Sequence, residues 1–338
     1  MRTRVWSRHV LLLSSALLLT GCNLVQSPLN PVSPQARDLL WLFWIFSAVL
    51  AAIWLAVMLA LLMSLRARRD VGTDPLAADP HRESRATMLV AGLAVATGLT
   101  VLVLTGLSFA GQRRLFGNET AAVTIRVLGH QWWWEFQYED PDPSRRFNTA
   151  NEIHVPVGQP VLIKLESTDV IHSFWVPSLM GKVDLIPGRQ NILRFTAERA
   201  GIYRGQCAEF CGLQHAKMGM LVVVDEPEAF AQWRDAQVQP RLEPATDEAR
   251  AGEQAFVAAP CSMCHQVRGT GAAGRNGPEL THVGSRRTLA AGTLPMSRGN
   301  LAAWIVDPHG IKPGVNMPLV KLDPGELNTI SAYLEGLK

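Results

Sequence analysis

Two long apolar runs dominate the first third of the chain. Residues 39–65 and 87–110 contain no charged side chain, and each is longer than the ~20 residues that a helix needs to cross a bilayer. A buried helix of this length in a soluble protein would normally keep one polar face. The pattern therefore predicts a transmembrane hairpin within residues 23–114, with helices at about 39–65 and 87–110.

A shorter apolar run lies at the N-terminus. Three arginines precede the run from Val10 to Leu19, which ends in "LTGC". This order of charged and apolar regions is typical of an export signal, and "LTGC" resembles a bacterial lipobox, in which the cysteine carries lipid. Residues 1–22 are therefore predicted to be a signal peptide with a lipobox, and Cys22 its lipidation site. An ordinary cleavage site with an incidental cysteine is the alternative.

The loop between the two long runs is basic. Residues 66–86 carry five arginines, and loops rich in arginine and lysine stay in the cytoplasm. Both ends of the hairpin are then expected outside. The sequence therefore predicts a multi-pass protein of the bacterial inner membrane, with everything after about residue 115 on the periplasmic face.

Period-two alternation and β-rich runs replace the long apolar runs over residues 115–228. Turn signals such as "PVGQP" and "IPGRQ" separate the candidate strands. These strands cover residues 123–127, 132–138, 152–157, 161–167, 191–197 and 220–226. Short strands with frequent turns predict an all-β sandwich. A Greek-key sandwich of cupredoxin type fits, because its metal ligands come from loops at one end.

The segment "GQCAEFCGLQHAKMGM", residues 205–220, concentrates sulfur and nitrogen atoms at the end of this module. In an exported domain a disulfide between Cys207 and Cys211 is the default, but it leaves the following histidine and methionine unexplained. A mononuclear blue-copper site uses only one thiolate. Two thiolates, a thioether, a backbone carbonyl and two histidines, the second being His172 of "VIHSFWVP", suit two copper ions bridged by both sulfurs.

These residues resemble the binuclear copper-A loop of cytochrome c oxidase subunit II. The resemblance covers residues 39 to about 226 and includes "GHQWWWEF" and "VIHSFWVPSLMGKVDLIPGR". It implies copper ligands at every position that the family uses: the side chains of His172, Cys207, Cys211, His215 and Met218, and the backbone carbonyl of Glu209. By the same resemblance, the Glu209 carboxylate is expected to reach a magnesium or manganese ion shared with subunit I.

The resemblance also assigns roles to Trp132 and Glu83. Trp132, the first tryptophan after "HQ", stands where the family receives electrons near copper, whereas simple aromatic packing is the alternative. Glu83 precedes the second span on the cytoplasmic side, where an acid in the family opens a proton path into subunit I. Its surroundings, "RESRATMLV", lack the family's usual tryptophan and proline, so a solvated charge at the membrane flank is the alternative.

Residues 251–338 carry a second cofactor motif. "CSMCH" ends in His265 and has the C-x-x-C-H pattern of c-type haem attachment. Cys261 and Cys264 are expected to form thioethers with the haem, and His265 to bind its iron. The neighbouring "ARAGEQAFVAAP" and "GPELTHVGSR" resemble a small all-α cytochrome c.

The other axial ligand and the last helix complete this module. Met317 in "KPGVNMP" is expected to bind the iron opposite the histidine, with Met296 as its rival. A histidine and methionine pair raises the haem potential and leaves no open position for oxygen. The last helix is predicted to begin with Asp323 as its N-cap, Pro324 first and Glu326 third.

Composition adds little about external partners but bears on how the modules meet. The formal net charge of +3 on 338 residues, with no basic run among aromatics, gives no indication of nucleic-acid binding. Residues 229–250 are predicted to be a linker, with a short helix as an alternative for the first half of residues 227–246. A flexible chain of ~20 residues spans roughly 25 Å. The copper module has ten basic and fourteen acidic residues and the haem module eight and six, so opposite net charges favour their encounter.

Together the motifs resemble subunit II of the oxidases whose subunit II carries its own cytochrome c. The resemblance implies electron relay from the covalent haem c to copper-A and on to subunit I, where O2 is reduced to water with proton pumping. Subunit I, subunit III and an external cytochrome c or other respiratory donor are the expected partners. The alternatives are a copper-A module like that of nitrous oxide reductase, a membrane-anchored electron carrier and a quinol oxidase subunit II, which lacks the copper ligands.

Overall fold

The computed structural model describes residues 26–67, 80–115 and 120–338 of the chain. The predicted signal peptide over residues 1–22, with its Cys22, lies outside the described residues. The chain divides into two compact units. Residues 37–117 form one unit, and the other contains both predicted soluble modules.

Two helices, α1 (Pro34–Arg66) and α2 (Pro80–Leu115), are long and apolar enough to cross a membrane. Most of their large apolar side chains are exposed, as expected for a helix that is apolar on all sides and faces lipid. Both helices extend past the uncharged runs, because a polar flank can continue the backbone hydrogen bonding. At the start of α1, the Ser33 hydroxyl accepts a hydrogen bond from the Ala36 amide at 3.0 Å, which caps the helix.

Ten strands form a two-sheet sandwich, which confirms the predicted all-β module. The strands are β1 (Val123–His130), β2 (Trp133–Glu139), β3 (Phe147–Ala150), β4 (Glu152–Pro156), β5 (Pro160–Ser167), β6 (His172–Trp175), β7 (Val183–Leu185), β8 (Asn191–Thr196), β9 (Gly201–Cys207) and β10 (Gly219–Asp225). One sheet has the order β3-β2-β1-β5-β8 and the other β4-β10-β9-β6-β7. Both sheets are mixed, because β1 pairs with β5 and β10 with β4 in parallel.

The alternation along the strands reflects one buried face. Every second residue of β1 is buried, and Ile125 and Val127 are fully so. Strands β2 and β5 show the same pattern over most of their length. The inner faces of both sheets meet in one core that includes Trp134, Phe136 and Phe174. A slip of one residue would turn an entire apolar set toward water, so the sequence pattern fixes the register.

Four strands, β3, β6, β7 and β9, have no clear signal in the sequence. The first three have only three or four residues each. Strand β9, "GIYRGQC", buries only three of its residues and is polar on its other face. A side chain at Gly205 would not fit, because a Cβ there would lie 2.8 Å from Val176 Cγ2 and 2.9 Å from the Trp175 carbonyl oxygen.

The segment after the sandwich begins with a helix, as considered for the first half of residues 227–246, and the unstructured part is shorter than the linker predicted over residues 229–250. Helix α3 (Pro227–Val238) follows β10 almost directly, and its Phe230 and Trp233 pack against the sandwich core. These two residues are three apart and therefore share one helix face. Only residues 239–246 lack regular structure before the next helix. The apolar face of α3 thus makes this segment an ordered extension of the sandwich rather than a flexible tether.

The C-terminal domain is helical and has a core of its own. Its elements are α4 (Asp247–Ala258), α5 (Cys261–Cys264), β11 (Thr288–Leu289), β12 (Leu294–Pro295), α6 (Arg298–Val306), α7 (Pro308–Ile311) and α8 (Pro324–Gly336). The start of α8 confirms the predicted cap, since the Asp323 and Glu326 side chains each accept from the other's backbone amide. Helices α4 and α8 pack closely at Gly252, where a Cβ would lie 2.0 Å from the Thr329 carbonyl oxygen.

His154 and two carboxylates join β4 to β10 at the outer edge of the sandwich. His154 Nδ1 lies 2.6 Å from Asp225 Oδ2, and its Nε2 lies 3.4 Å from Glu152 Oε1. The ring also stacks on Trp233 of α3, with 4.2 Å between the ring centroids. Burial opposes the charge on this ring, but the hydrogen bonds to both carboxylates outweigh it and raise the pKa of His154.

We expect a His154→Gln variant to lose a pH-dependent part of its stability. Because the pKa is raised in the folded protein, the stabilisation is fully present below about pH 6.5 and is lost as pH rises through the folded value. The expected loss below pH 6 is about 1–2 kcal/mol. Thermal unfolding of the purified protein at several pH values checks this, with His309→Gln as the matched control. A difference from wild type that does not change with pH would contradict it.

Candidate functional site

The ends of three strands bring the sulfur and imidazole groups of the sandwich together. Strand β6 begins at His172, β9 ends at Cys207, and β10 begins at Gly219 just after Met218. Strand β6 pairs with β9, so that Phe174 lies opposite Cys207. A short 3-10 turn, His215–Lys217, completes the loop between β9 and β10. Two of the strands without a sequence signal therefore place two of the predicted ligands.

The predicted copper ligands lie within contact distance of one another. Cys207 Sγ and Cys211 Sγ are 3.8 Å apart. The remaining groups surround this pair: His172 Nδ1 is 3.9 Å and the Glu209 carbonyl oxygen 3.2 Å from Cys207 Sγ, and His215 Nδ1 is 3.6 Å and Met218 Sδ 3.7 Å from Cys211 Sγ. All six groups singled out in the sequence are thus gathered around two sulfurs.

The two thiols are free, and their separation does not fit a disulfide. Both are buried, and 3.8 Å between the Sγ atoms is far beyond the ~2.05 Å of a disulfide bond. The hydrogen bond between them lowers the pKa of Cys207 to about 3. The resulting thiolate raises the pKa of Cys211. Thiolate, imidazole and thioether together form a soft donor set that fits copper.

His172 is oriented by a carboxylate that the sequence reasoning missed. Its Nε2 lies 2.7 Å from Asp169 Oδ1, which leaves Nδ1 facing Cys207. Metal-binding histidines commonly donate their second ring nitrogen in this way, and the partner fixes the tautomer. Asp169 Oδ2 also accepts from the Gln131 amide at 2.6 Å. An aspartate three residues before the histidine, in "STDVIH", was the available signal.

The two predicted acidic residues, Glu209 and Glu83, are exposed. The side chain of Glu209 and the ring of Phe210 both lie at the surface of the copper loop, and Phe210 is 76% exposed. Glu83 lies exposed in the first turn of α2. The Glu209 side chain is therefore accessible to a partner.

A largely apolar cavity of about 360 Å³ lies at the start of the C-terminal domain. Cys261, Cys264 and His265 line it together with Met317, so both thiols of the attachment motif and both predicted axial residues face one space. Both thiols are free. Met296, the rival axial residue, instead packs against the core of the domain. Arg286, which the sequence reasoning did not single out, is buried in the cavity wall.

His265 is prepared to bind a metal through one nitrogen. Its Nδ1 donates to the Pro278 carbonyl oxygen at 2.8 Å, which leaves Nε2 free to bind a metal. Burial lowers the pKa of this ring, so the neutral form that binds metals is favoured. Gly277 allows the close packing, because a Cβ there would lie 2.7 Å from the ring. The thiols, the imidazole and the apolar wall fit a covalent haem.

One wall of this cavity comes from the sandwich. Four consecutive residues before and at the start of β2 line it: His130, Gln131, Trp132 and Trp133. Trp132 is only 7% exposed, and its Nε1 donates to the Cys211 carbonyl oxygen at 2.9 Å. The same carbonyl accepts from Gln131 Nε2 at 2.8 Å. A single tryptophan thus contacts the copper loop with its ring nitrogen and borders the cavity of the other domain.

Family comparisons agree with both modules. Residues 141–225 match the family described as cytochrome C oxidase subunit II, periplasmic domain, and residues 249–338 match the family described as cytochrome c. The first family implies copper and the second implies haem. The sandwich also resembles the crystal structure of the periplasmic domain of subunit II of cytochrome oxidase from Bradyrhizobium japonicum, at 34% identity, with a TM-score of 0.33, over 35% of this chain and 95% of that one.

Full-length relatives extend the match to the helical hairpin. Cytochrome c oxidase subunit 2 of Alkalihalophilus pseudofirmus is 34% identical over 346 aligned residues, which cover 98% of this chain and 97% of the relative. The Bacillus subtilis protein of the same name is 35% identical over 64% of this chain and 63% of its own length. With two membrane-spanning helices, a periplasmic copper module and a cytochrome c module in this order, the chain belongs to the cytochrome c oxidase subunit 2 family.

Proposed function

We propose that this chain is the electron-accepting subunit of an aerobic respiratory haem–copper oxidase. It relays electrons from a covalent haem c to a binuclear copper-A centre and on to subunit I, where O2 is reduced to water with proton pumping. The observation that carries the proposal is the shared position of Trp132. This residue borders the cavity of Cys261, Cys264 and His265 and donates to the carbonyl of Cys211.

The copper-A centre is assigned to the six groups around the sulfur pair. Two copper ions would be held by His172, Cys207, Cys211, His215, Met218 and the carbonyl oxygen of Glu209. The distances of 3.2–3.9 Å among these groups support this assignment. Bound copper would supply one-electron chemistry, and Cys207 and Cys211 would provide the thiolate donors for both ions. The sandwich holds the donors on strand ends, which limits their movement when the charge changes.

The haem is assigned to the cavity of the C-terminal domain. Cys261 and Cys264 would form its thioethers, and His265 and Met317 would bind its iron. The cavity lining supports Met317 over Met296, because only the first of the two faces the same space as the histidine. The hydrogen bond from His265 to the Pro278 carbonyl holds the ring in the tautomer that the iron requires.

The partners and the location follow from the family and the exposed residues. The chain is a membrane protein with a periplasmic domain, and we assign it to the bacterial inner membrane with both soluble domains outside. Subunit I would contact the exposed copper loop, where Glu209 could share a magnesium or manganese ion with it. Subunit III and an external cytochrome c or other donor complete the proposed complex. Glu83 remains the candidate for proton uptake, and Cys22 for lipidation.

The alternatives explain less of the chain. A reductase of the nitrous oxide type shares the copper loop, but it accounts neither for the helical hairpin nor for the appended cytochrome. A membrane-anchored carrier without oxidase partners leaves the exposed Phe210 at the tip of the copper loop without a role. A quinol oxidase subunit has no use for the buried donor set around Cys207 and Cys211. Co-purification with a polytopic haem subunit separates the oxidase from the carrier.

Trp132 gives the sharpest test of the relay. We expect Trp132→Phe to slow electron transfer from haem to copper by about tenfold. The change removes the hydrogen bond to the Cys211 carbonyl, so the aromatic ring is no longer held in place against the copper loop. Flash photoreduction of the haem in the purified oxidase, followed at the copper absorption, measures this rate. Trp133→Phe is the matched control, since Trp133 lines the same cavity but stacks on His130 instead. Equal rates in both variants would argue against the role of Trp132.

A further inference from the structure

The last residue of α7 and the loop after it join the two soluble domains. We call residues 311–317 the docking loop, because it carries Met317 at one end and contacts the sandwich along its length. Four hydrogen bonds join them: Lys312 Nζ to the Trp132 carbonyl at 2.8 Å, Asn316 Nδ2 to the Gln131 carbonyl at 3.0 Å, Gln214 Nε2 to the Pro313 carbonyl at 2.6 Å, and Lys217 Nζ to the Ile311 carbonyl. Every acceptor in this set is a main-chain oxygen.

Lys312 is the buried member of this set. It is 2% exposed, and besides the Trp132 carbonyl its Nζ also donates to the Ala290 carbonyl at 3.3 Å. One amino group therefore binds a carbonyl from each domain. A buried lysine is unusual unless its polar atom is satisfied. Burial and, to a smaller degree, the nearby Lys217 lower the pKa of Lys312 to about 7. The site therefore disfavours the charged form of this side chain.

Trp132 contacts both the copper loop and Lys312, so Lys312 lies beside the proposed path of electrons from haem to copper. The tryptophan contacts the copper loop through its ring nitrogen and Lys312 through its carbonyl oxygen. Lys312 is five residues before Met317 on the same short loop and also lines the haem cavity. A shift of this lysine would therefore move the docking loop relative to the tryptophan that borders both centres.

We propose that Lys312 is a positioning residue that fixes the docking loop against the main chain of Trp132 and so sets the separation between the haem pocket and the copper loop. This inference rests on the proposed relay. Lysine suits the task because its long side chain can cross the interface and present several donors to two acceptors at once. An apolar side chain of similar length would fill the space but remove the bond to the Trp132 carbonyl, whereas the Ala290 carbonyl would keep its bond from Thr293 Oγ1 at 2.7 Å.

The test compares Lys312→Met with Lys321→Met in the purified oxidase. Both variants remove one lysine from the C-terminal domain, but Lys321 is exposed. Flash photoreduction of the haem, followed at the copper absorption, measures the rate of internal transfer. Reduction of the haem by an external donor, the haem spectrum and the copper electron resonance signal are recorded for each variant. A change in the two spectra would reveal damage to the centres themselves.

We expect Lys312→Met to slow internal transfer by about tenfold relative to Lys321→Met, because the lost bond to a buried carbonyl shifts the equilibrium away from the docked arrangement by about that factor. Haem reduction by the external donor and both spectra should match the control. A rate within threefold of the Lys321→Met rate would overturn the positioning role. No transfer from haem to copper in the wild-type protein would instead overturn the relay itself, and the inference with it.

A second variant decides the question if Lys312→Met does not assemble both centres. Asn316→Ala removes an exposed contact to the Gln131 carbonyl and leaves the core unchanged. We expect it to slow internal transfer by a smaller factor, about threefold, with an unchanged haem spectrum. A wild-type rate in this variant would count against the docking loop as a positioning element.

Discussion

A Cys207→Ser variant is expected to lose the binuclear copper centre while keeping its haem. A serine hydroxyl does not ionise near neutral pH, so it cannot replace a thiolate that is shared between two metals. Copper analysis should fall from two ions per chain to one or none, and the delocalised electron resonance signal should vanish. The haem spectrum should persist, because Cys261 and Cys264 belong to a domain with a separate core.

Two buried methionines provide a matched control for this centre. Met218 and Met220 are 0% and 1% exposed, but only Met218 places its sulfur next to Cys211, at 3.7 Å. Replacing Met218 with leucine should alter the copper spectrum, whereas Met220→Leu should leave it unchanged and cost little stability, since the two side chains have similar volumes. A normal two-copper signal in Cys207→Ser, or equal effects of the two leucine variants, would refute the ligand assignment.

Replacing Met317 with leucine is expected to have the largest effect on the C-terminal domain. The variant should keep its covalent haem, since both thiols and His265 are unchanged, but lose its thioether ligand. Its reduction potential should fall by on the order of 0.1 V or more, within the ~0.8 V range that axial ligands control. Electron transfer from the haem to copper should then become more favourable, but fewer external donors could reduce the haem, and the iron would also acquire an open position.

Redox titration and visible spectroscopy of the purified protein measure this effect. Met296→Leu is the control, because it makes the same substitution in the same domain, at a residue that packs against the core. We expect its potential and its spectrum to match those of the wild type. A shift of potential in Met296→Leu with none in Met317→Leu would reverse the assignment of the axial ligand.

The sequence predicts those parts of the fold in which apolar side chains recur at a regular period or functional side chains stand at a fixed separation. Strands such as β1 alternate strictly because one face is buried, and the cap at Asp323 depends on two side chains with fixed spacing. The attachment motif and the copper loop are short continuous segments, so their spacing survives in the linear sequence. These features could be recognised from the amino-acid sequence alone.

Other features depend on contacts that leave no pattern. Strand β9 buries a glycine at its centre and is polar outside, so it lacks an apolar period. Helix α3 is one alternative for its segment, but its packing on the sandwich depends on Phe230 and Trp233, two apolar residues among prolines and charges that otherwise indicate a linker. The acceptors of Lys312 are main-chain carbonyls, which every residue carries. A sequence can therefore show a lysine but not that it joins two domains.

The burial of Trp132 beside the C-terminal domain affects how soluble carriers could deliver electrons to copper. A soluble carrier that could reduce copper directly would need access to this tryptophan, and only 7% of it is open to solvent. If electrons reach copper through Trp132, as in the proposed relay, they must first pass through the haem. In that relay, copies that acquire copper but no haem would accept no electrons from a soluble carrier, so haem attachment would limit respiration through this subunit.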